Sequence, residues 1–402
     1  MIKNEQAGLY IHVPFCLSKC GYCSFYSVVS PDLIPDFVKA VVREMAFYKP
    51  SFVPFKGFDT IYLGGGTPSL LSAKQLDDLL TAARHHFRFD DPGSNHPLRH
   101  TGEYPEGHKC RYPENIEITM EVNPGDVSKN YLRDLKAAGV NRLNIGVQSF
   151  DDRILKFLGR RHSAKEALAA IDEARNAGFQ NIGLDLIYGV YGQDMKTWKE
   201  TLNNALSFTP EHLSCYQLSL EEKTPLYKQY SKESLQLPAE NEALDFFMNT
   251  SKILTDAGLI HYEVSNFARS DSLKSRHNMK YWRHAPYLGL GPAAHSFLDS
   301  RRWWNKADVK AYLNEVGGGK KPVDKSESLS AEQLALEALF LSMRTNDGIH
   351  LQQYKNRFGA DLLVGKKQVI DELMENGLLE LKDGRLQPTL AGMAVADSLA
   401  LM

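Results

Sequence analysis

The 402-residue sequence has no run of eighteen apolar residues, so no membrane-crossing helix is expected. Its opening residues, Met1-Ile2-Lys3-Asn4-Glu5-Gln6, lack the apolar core of a secretion signal, which leads us to expect a cytoplasmic protein. Charge of either sign is not in excess. A formal net charge of −2 gives no bulk field to draw the chain to nucleic acid or to an acidic membrane. Cysteine is scarce: five residues, an odd number without framework spacing, argue against a disulfide-stapled extracellular fold and for a reducing compartment. What is present suits a globular chain. At 43% hydrophobic and 24% charged residues, it can bury one large α/β domain and a smaller appendage.

Short apolar runs at 8–14, 59–65, 116–122, 142–148, 181–187 and 213–219 read as strands. Helical patterns lie between and after them near 31–48, 72–87, 128–138, 163–177, 194–207 and 239–258. In the first helix Val38, Val41, Val42, Met45 and Ala46 form the apolar face, and Gly139 and Gly178 read as helix stops. Six βα units imply a parallel sheet flanked by helices. They are too few for a closed eight-stranded barrel, so the fold class expected is α/β, a partial (β/α)6 barrel. The Pro- and Gly-rich stretch Asp90–Glu114, with His96, His100, His108 and Cys110, reads as a solvated insertion. Domain 1–260 is then the barrel, 261–316 an extension of it, 317–325 a linker around Gly317-Gly318-Gly319, and 326–402 a small C-terminal helical, winged-helix-like domain. That last domain holds eleven acidic against seven basic residues, the wrong sign for a phosphate-binding face.

Cys16, Cys20 and Cys23 follow the first strand in a C-x3-C-x2-C run. Three thiolates at this spacing suit a [4Fe–4S] cluster with one iron left open. A closed zinc site would want a fourth ligand and paired cysteines, and no second pair follows. Gly64-Gly65-Gly66-Thr67-Pro68 leaves the second strand, where glycine lets backbone groups approach a ligand or makes a tight turn. Glu121, Gln148 and Asp185 place polar groups at or near the ends of three further strands, where barrel chemistry collects.

With those residues in view, the chain resembles the radical S-adenosylmethionine (SAM) superfamily, and the glycine run is similar to its second motif. Within the superfamily it resembles the oxygen-independent coproporphyrinogen III oxidases and, more closely, the HemW-type haem chaperones. The resemblance implies a [4Fe–4S] cluster on Cys16, Cys20 and Cys23, SAM, and haem as cofactors. It places Tyr10 near the cluster-bound SAM, Tyr22 beside adenine, and Gly65 and Glu121 on the first SAM. Gly66, Thr67, Gln148, Arg160 and Asp185 match positions that hold a second SAM in the oxidase.

Against the oxidase, Ser24-Phe25 stands where that enzyme has a further cysteine, and only fifteen residues precede Cys16, so a substrate-covering arm is not expected. His277-Asn278-Met279-Lys280-Tyr281-Trp282 matches the H-N-x-x-Y-W motif of the haem chaperones. His277 is the nominated haem ligand, with Tyr281 and His295 as rivals. The resemblance implies a haem carrier serving respiratory haemoproteins, with a flavodoxin or ferredoxin as electron donor. The alternatives are a porphyrinogen decarboxylase and a zinc scaffold.

Overall fold

The computed structural model describes residues 6–52, 57–89, 112–232 and 236–399. Most of the Asp90–Glu114 stretch, including its three histidines and Cys110, lies outside them. Strands β1 (Ala7–Val13), β2 (Phe58–Gly65), β3 (Glu117–Val122), β4 (Arg142–Gln148), β5 (Ile182–Tyr188) and β6 (His212–Gln217) lie side by side, parallel and in chain order. Helices Ile34–Phe52, Ala73–His86, Lys129–Ala138, Ala164–Asn176, Met195–Ser207 and Glu240–Asp256 stand close to where the sequence periodicity puts them. Leu9, Ile11, Val13, Ile61 and Leu63 are fully buried, and in β3, β4 and β6 apolar residues alternate with buried polar ones such as Thr119, Arg142, Asn144 and Ser214, which share the opposite face.

Local chemistry fixes the helices. Ser72 accepts from Gln75 N while the Gln75 side chain returns to Ser72 N, and Leu76, Leu79, Leu80 and Ala83 turn one face to the sheet. Replacing Ser72 by alanine would cost about 1 kcal/mol. Gly139 ends Lys129–Ala138 at φ +116°, a conformation that a side chain would oppose. The first helix departs from its expected face. Val38, Val41 and Met45 are buried, but Ala46 is exposed and Glu44 is fully buried beside them.

The sheet continues beyond the six expected strands. On one edge β7 (Ile260–Glu263) and β8 (Asn266–Ala268) add antiparallel to β6. On the other, β9 (Tyr287–Leu290) joins β1 in parallel, followed antiparallel by β10 (His295–Leu298), β11 (Arg301–Asn305) and β12 (Val323–Ser328). The result is one twelve-stranded sheet running from β12 to β7. Gly317 closes the helix Val309–Gly317, and β12 begins at Val323, so the segment expected as a linker carries the end of a helix and the start of an edge strand.

The C-terminal region follows the order helix, strand, helices, hairpin. Helices Ala331–Ser342, Leu351–Phe358, Leu362–Gly365 and Lys367–Glu375 pack with β13 (Ile349–His350), β14 (Leu379–Lys382) and β15 (Arg385–Pro388) around Leu339, Met343, Ile370 and Leu386. This is the winged-helix-like arrangement expected, and backbone bonds from Val264 to Arg344 and from Asn346 to Tyr262 tie it to the main sheet.

Candidate cluster and cofactor site

The cysteines sit in a loop whose base is closed by backbone bonds. Cys16 N donates to Val28 O at 3.0 Å, and Val28 N to Pro14 O at 2.7 Å. His12 Nε2 lies 2.9 Å from Tyr26 O and holds the same loop from the strand side. The loop is anchored at its base while Cys16, Cys20 and Cys23 remain half-buried and unpaired. Burial pushes the Cys23 thiol up.

The glycine turn lies directly against this loop. Gly66 N donates to Val13 O at 2.8 Å and Thr67 N to Phe15 O at 2.7 Å. A Cβ on Gly66 would stand 2.6 Å from Phe15 O, and one on Gly65, at φ +112°, 2.6 Å from the His12 ring. Gly66 is therefore required by close backbone approach, and Gly65 by its positive φ and the packed His12 ring. Thr67 Oγ1 donates to Cys16 Sγ at 3.4 Å.

Glu121 meets the turn from β3. Its carboxylate accepts from Tyr62 OH at 2.8 Å and Gly65 N at 3.2 Å, and burial raises its pKa to about 7. Tyr10 lies on the same face of β1 as His12, with its hydroxyl 3.0 Å from His12 Nδ1. On β5, Asp185 accepts from Asn144 Nδ2 at 2.6 Å, and burial pushes its carboxyl up. Gln148 holds φ +66° at an irregularity in the β4–β5 pairing, and it is buried. A non-glycine residue in this region costs on the order of 1–3 kcal/mol and is often found at functional sites.

Arg160 reaches the same space from beyond the Gly159 helix cap. Its guanidinium donates to Gly146 O at 2.9 Å and to Cys20 Sγ at 3.6 Å, and Tyr22 bonds to it. Its Nε is buried with no hydrogen-bond partner among the described residues, a donor left for an anion. Tyr10, Tyr22, Gly65, Gly66, Thr67, Glu121, Gln148, Arg160 and Asp185 are thus gathered at or just inside the C-terminal ends of β1–β5.

His277 is not among them. It lies on the helix Arg276–Trp282, which enters the N-terminal end of the barrel. Glu117, the first residue of β3, accepts from His277 N at 3.0 Å, and Asp59 pairs with Lys280 at 2.6 Å and Arg276 at 3.0 Å. The His277 ring is 1% exposed, with Nδ1 2.8 Å from Thr60 Oγ1 and Nε2 2.9 Å from Tyr281 OH. Burial lowers its pKa to about 3. Neither nitrogen is free for an iron, so in this structure His277 is a satisfied core histidine rather than a haem ligand. Positions i and i+4 put His277 and Tyr281 on one helix face, and that face is the inward one.

The sequence reading missed three residues. His12 was legible from its two-residue spacing to Tyr10. Asn144, and His162 between Asn123 Oδ1 and Val147 O, carry no local signal.

The donor set fits a cluster better than a single ion. Among the described residues no three His, Cys, Asp or Glu side chains converge as ligands of one metal ion. A cubane asks for less convergence, because each thiolate binds its own iron. Beside the thiols lie an unpartnered arginine nitrogen and a glycine cradle, which suit the carboxylate and amine of an amino-acid group.

Comparison with known proteins agrees. The radical SAM superfamily model matches residues 10–205, and the HemN C-terminal domain matches 329–395. The haem chaperone HemW of Bacillus subtilis is 31% identical, covering 96% of both chains. The mitochondrial radical S-adenosyl methionine domain-containing protein 1 of Bos taurus is 32% identical over 99% of this chain and 87% of its own. Escherichia coli coproporphyrinogen III oxidase shares the fold at a TM-score of 0.80, with 21% identity over 99% of this chain and 90% of the enzyme. The chain belongs to the radical SAM superfamily, in the family of the haem chaperone HemW.

Proposed function

We propose that this protein is a [4Fe–4S]- and SAM-binding haem chaperone that binds haem and delivers it to acceptor haemoproteins. The observation that carries it is similarity to the HemW haem chaperones over nearly the whole chain, where likeness to the oxidase extends to the fold. Phe25, at the position of the oxidase's further cysteine, is 65% exposed and offers no ligand. Cys16, Cys20 and Cys23 hold the cluster. When bound, the cluster supplies one-electron chemistry and an iron with an open coordination position.

The chain's own residues do the positioning. Gly65, Gly66 and Thr67 bring the turn against the cluster loop, and Thr67 steadies Cys16. Glu121, fixed by Tyr62 and Gly65, receives the amine of the first SAM. Tyr10 lies beside that SAM and Tyr22 beside its adenine. Arg160 offers its nitrogens to a carboxylate, and Gln148 and Asp185 complete a second SAM subsite. Haem goes to respiratory proteins, with a flavodoxin or ferredoxin as electron donor, in the cytoplasm. No nucleic acid is involved. No helix among the described residues is long and apolar enough to cross a membrane. The main unit runs through β12, and the C-terminal domain begins at about residue 329.

Anaerobic reconstitution should load about four irons per chain. Added haem should give a Soret band that passes to an apo-haemoprotein on mixing. Conversion of coproporphyrinogen III to protoporphyrinogen IX in the presence of SAM and reductant would replace this reading with the oxidase.

A further inference from the structure

A second cavity lies away from the cysteines, between β9–β11, the end of the helix Arg276–Trp282, and the helix Ala331–Ser342. It measures about 380 Å3, and its lining includes Tyr281, Tyr287, His295, Phe297, Arg302 and Phe340. Pockets for cofactor-sized ligands run from roughly 300 to 1,000 Å3, with apolar walls and few polar groups. Here Tyr281 stands edge-on to Tyr287 at 4.7 Å between ring centres, and Phe297 lies 6.3 Å from Tyr287.

The polar groups are specific. His295 is exposed on β10, with its ring stacked on Trp304 at 5.5 Å. Arg302 pairs with Glu337 and, at 3.5 Å, with Glu327. His284 is 5% exposed, stacked on Phe297 at 4.4 Å, and holds φ +53°. Its Nε2 stands 3.3 Å from a Glu337 oxygen, and neither ring nitrogen has a hydrogen-bond partner among the described residues. A strained, buried imidazole with an unmatched nitrogen at a cavity wall is costly unless the cavity takes a ligand.

We propose that this cavity seats the haem, with His295 as the iron ligand and Arg302 exchanging its weaker pairing, with Glu327 at 3.5 Å, for a propionate. The proposal rests on the chaperone reading and gives it a location. Aromatic walls suit the macrocycle, imidazole is a common axial ligand, and guanidinium pairs with carboxylate in a bidentate fork. A larger cleft of about 580 Å3 beside Trp282 fits less well. It is ringed by Arg283, Asp347 and Arg385, and its histidine, His350, already accepts from Gln353 N at 3.4 Å.

The seat also gives the H-N-x-x-Y-W motif a role. Tyr281, a wall of the cavity, bonds to His277, whose ring stacks on Tyr62 at 5.2 Å. Tyr62 in turn donates to Glu121 at the barrel mouth. The motif is the partition between haem and SAM sites, and its histidine positions Tyr281 rather than binding iron.

The test is a haem titration of the full-length, cluster-loaded protein, followed by absorbance. His295→Ala should move the Soret maximum and weaken binding more than tenfold. Phe340→Glu, which puts charge into the wall, should do the same, while cluster absorbance and far-ultraviolet dichroism hold in both. A wild-type protein that takes no haem overturns the chaperone reading and this site with it. A wild type that binds haem, with either variant unchanged in Soret position and affinity, overturns the seat alone and leaves the chaperone reading standing.

Discussion

The two ends of the barrel differ in how they are built. At the C-terminal ends of β1–β5, the site is made by backbone: a loop tied at Cys16 and Val28, and a turn whose glycines let Val13 and Phe15 come close. At the N-terminal end, the helix Arg276–Trp282 is held by side chains, with Asp59 pairing its Arg276 and Lys280, Glu117 accepting from its first backbone N–H groups, and Thr60 and Tyr281 occupying both His277 nitrogens. Half-buried thiols and an unpartnered Arg160 nitrogen mark the first end as a place for a ligand. Paired helix charges and two occupied His277 nitrogens mark the second as a plug.

Substitution of the cysteines should break this contrast most sharply. Cys16→Ser should abolish cluster loading, read as loss of iron and of the cluster's visible absorbance. Because the thiol is half-buried and makes one weak contact, from Thr67, the unloaded variant and unloaded wild type should melt within a few degrees of each other. A large fall in melting temperature would make the cysteine loop structural, as the plug is.

His277→Ala should do the converse. It deletes a buried ring, two side-chain hydrogen bonds and the stack on Tyr62, for a loss of about 3 kcal/mol in denaturant unfolding. Iron loading should persist. The imidazole's lowered pKa adds a pH signature. Its stabilising contribution is whole above about 6.5, the unfolded value, and is lost as pH falls toward about 3, so the gap between wild type and variant should narrow in acid.

Gly66→Ala falls between these. Its Cβ would meet three backbone atoms of Val13 and Phe15 within 3 Å, and backbone cannot swing aside as a flexible side chain can. A destabilisation of about 2 kcal/mol is expected, together with reduced iron loading, since the clash displaces the segment that carries Cys16. Full loading at wild-type stability would mean that the turn and the loop are not coupled.

The same contrast explains what the sequence revealed. The cysteine triplet and the glycine run were legible because local chain geometry dictates them, and helix stops such as Gly139 for the same reason. The six long strands were legible because each keeps at least one apolar face, as a continuous run in β1 and β2 and as an alternating one in β3, β4 and β6. β9, β10 and β11 were not, since four or five residues carry too little periodicity to separate strand from loop. β12, Val323–Ser328, is polar and almost wholly exposed, as an edge strand commonly is, and so its sequence was split between the linker and the C-terminal domain. His277 misled for another reason. A motif gives residue types, but whether a ring nitrogen is free depends on Thr60 and Tyr281, one of them 217 positions away.

Glu44 is the mildest case and the most informative about the limit of pattern reading. In the first helix, hydrophobicity favoured Ala46 over Glu44 for the inward face, and the structure reverses them. Glu44 accepts from Gly291 N at 2.9 Å, Asn305 Nδ2 at 2.6 Å and Tyr312 OH at 2.6 Å, which joins the β9–β10 turn, β11 and the helix Val309–Gly317 to the barrel. Burial lifts its pKa to about 7 against those three bonds. A folded pKa above the unfolded value means the folded state holds the proton more tightly. The contribution is therefore full below about 4.5 and is lost as pH rises through about 7. Glu44→Gln keeps the shape without the titration, and Asn305 can turn over to suit it because its Oδ1 has no partner among the described residues. Below about pH 4.5, where wild-type Glu44 is also neutral, the variant should differ little from wild type. Between pH 4.5 and 7 wild type should lose stability relative to it by about 1.4 kcal/mol per pH unit, measured by urea unfolding at stepped pH. Parallel stability curves for the two proteins would show that Glu44 stays ionised, and that the β9–β12 edge is held by an anion rather than by a shared proton.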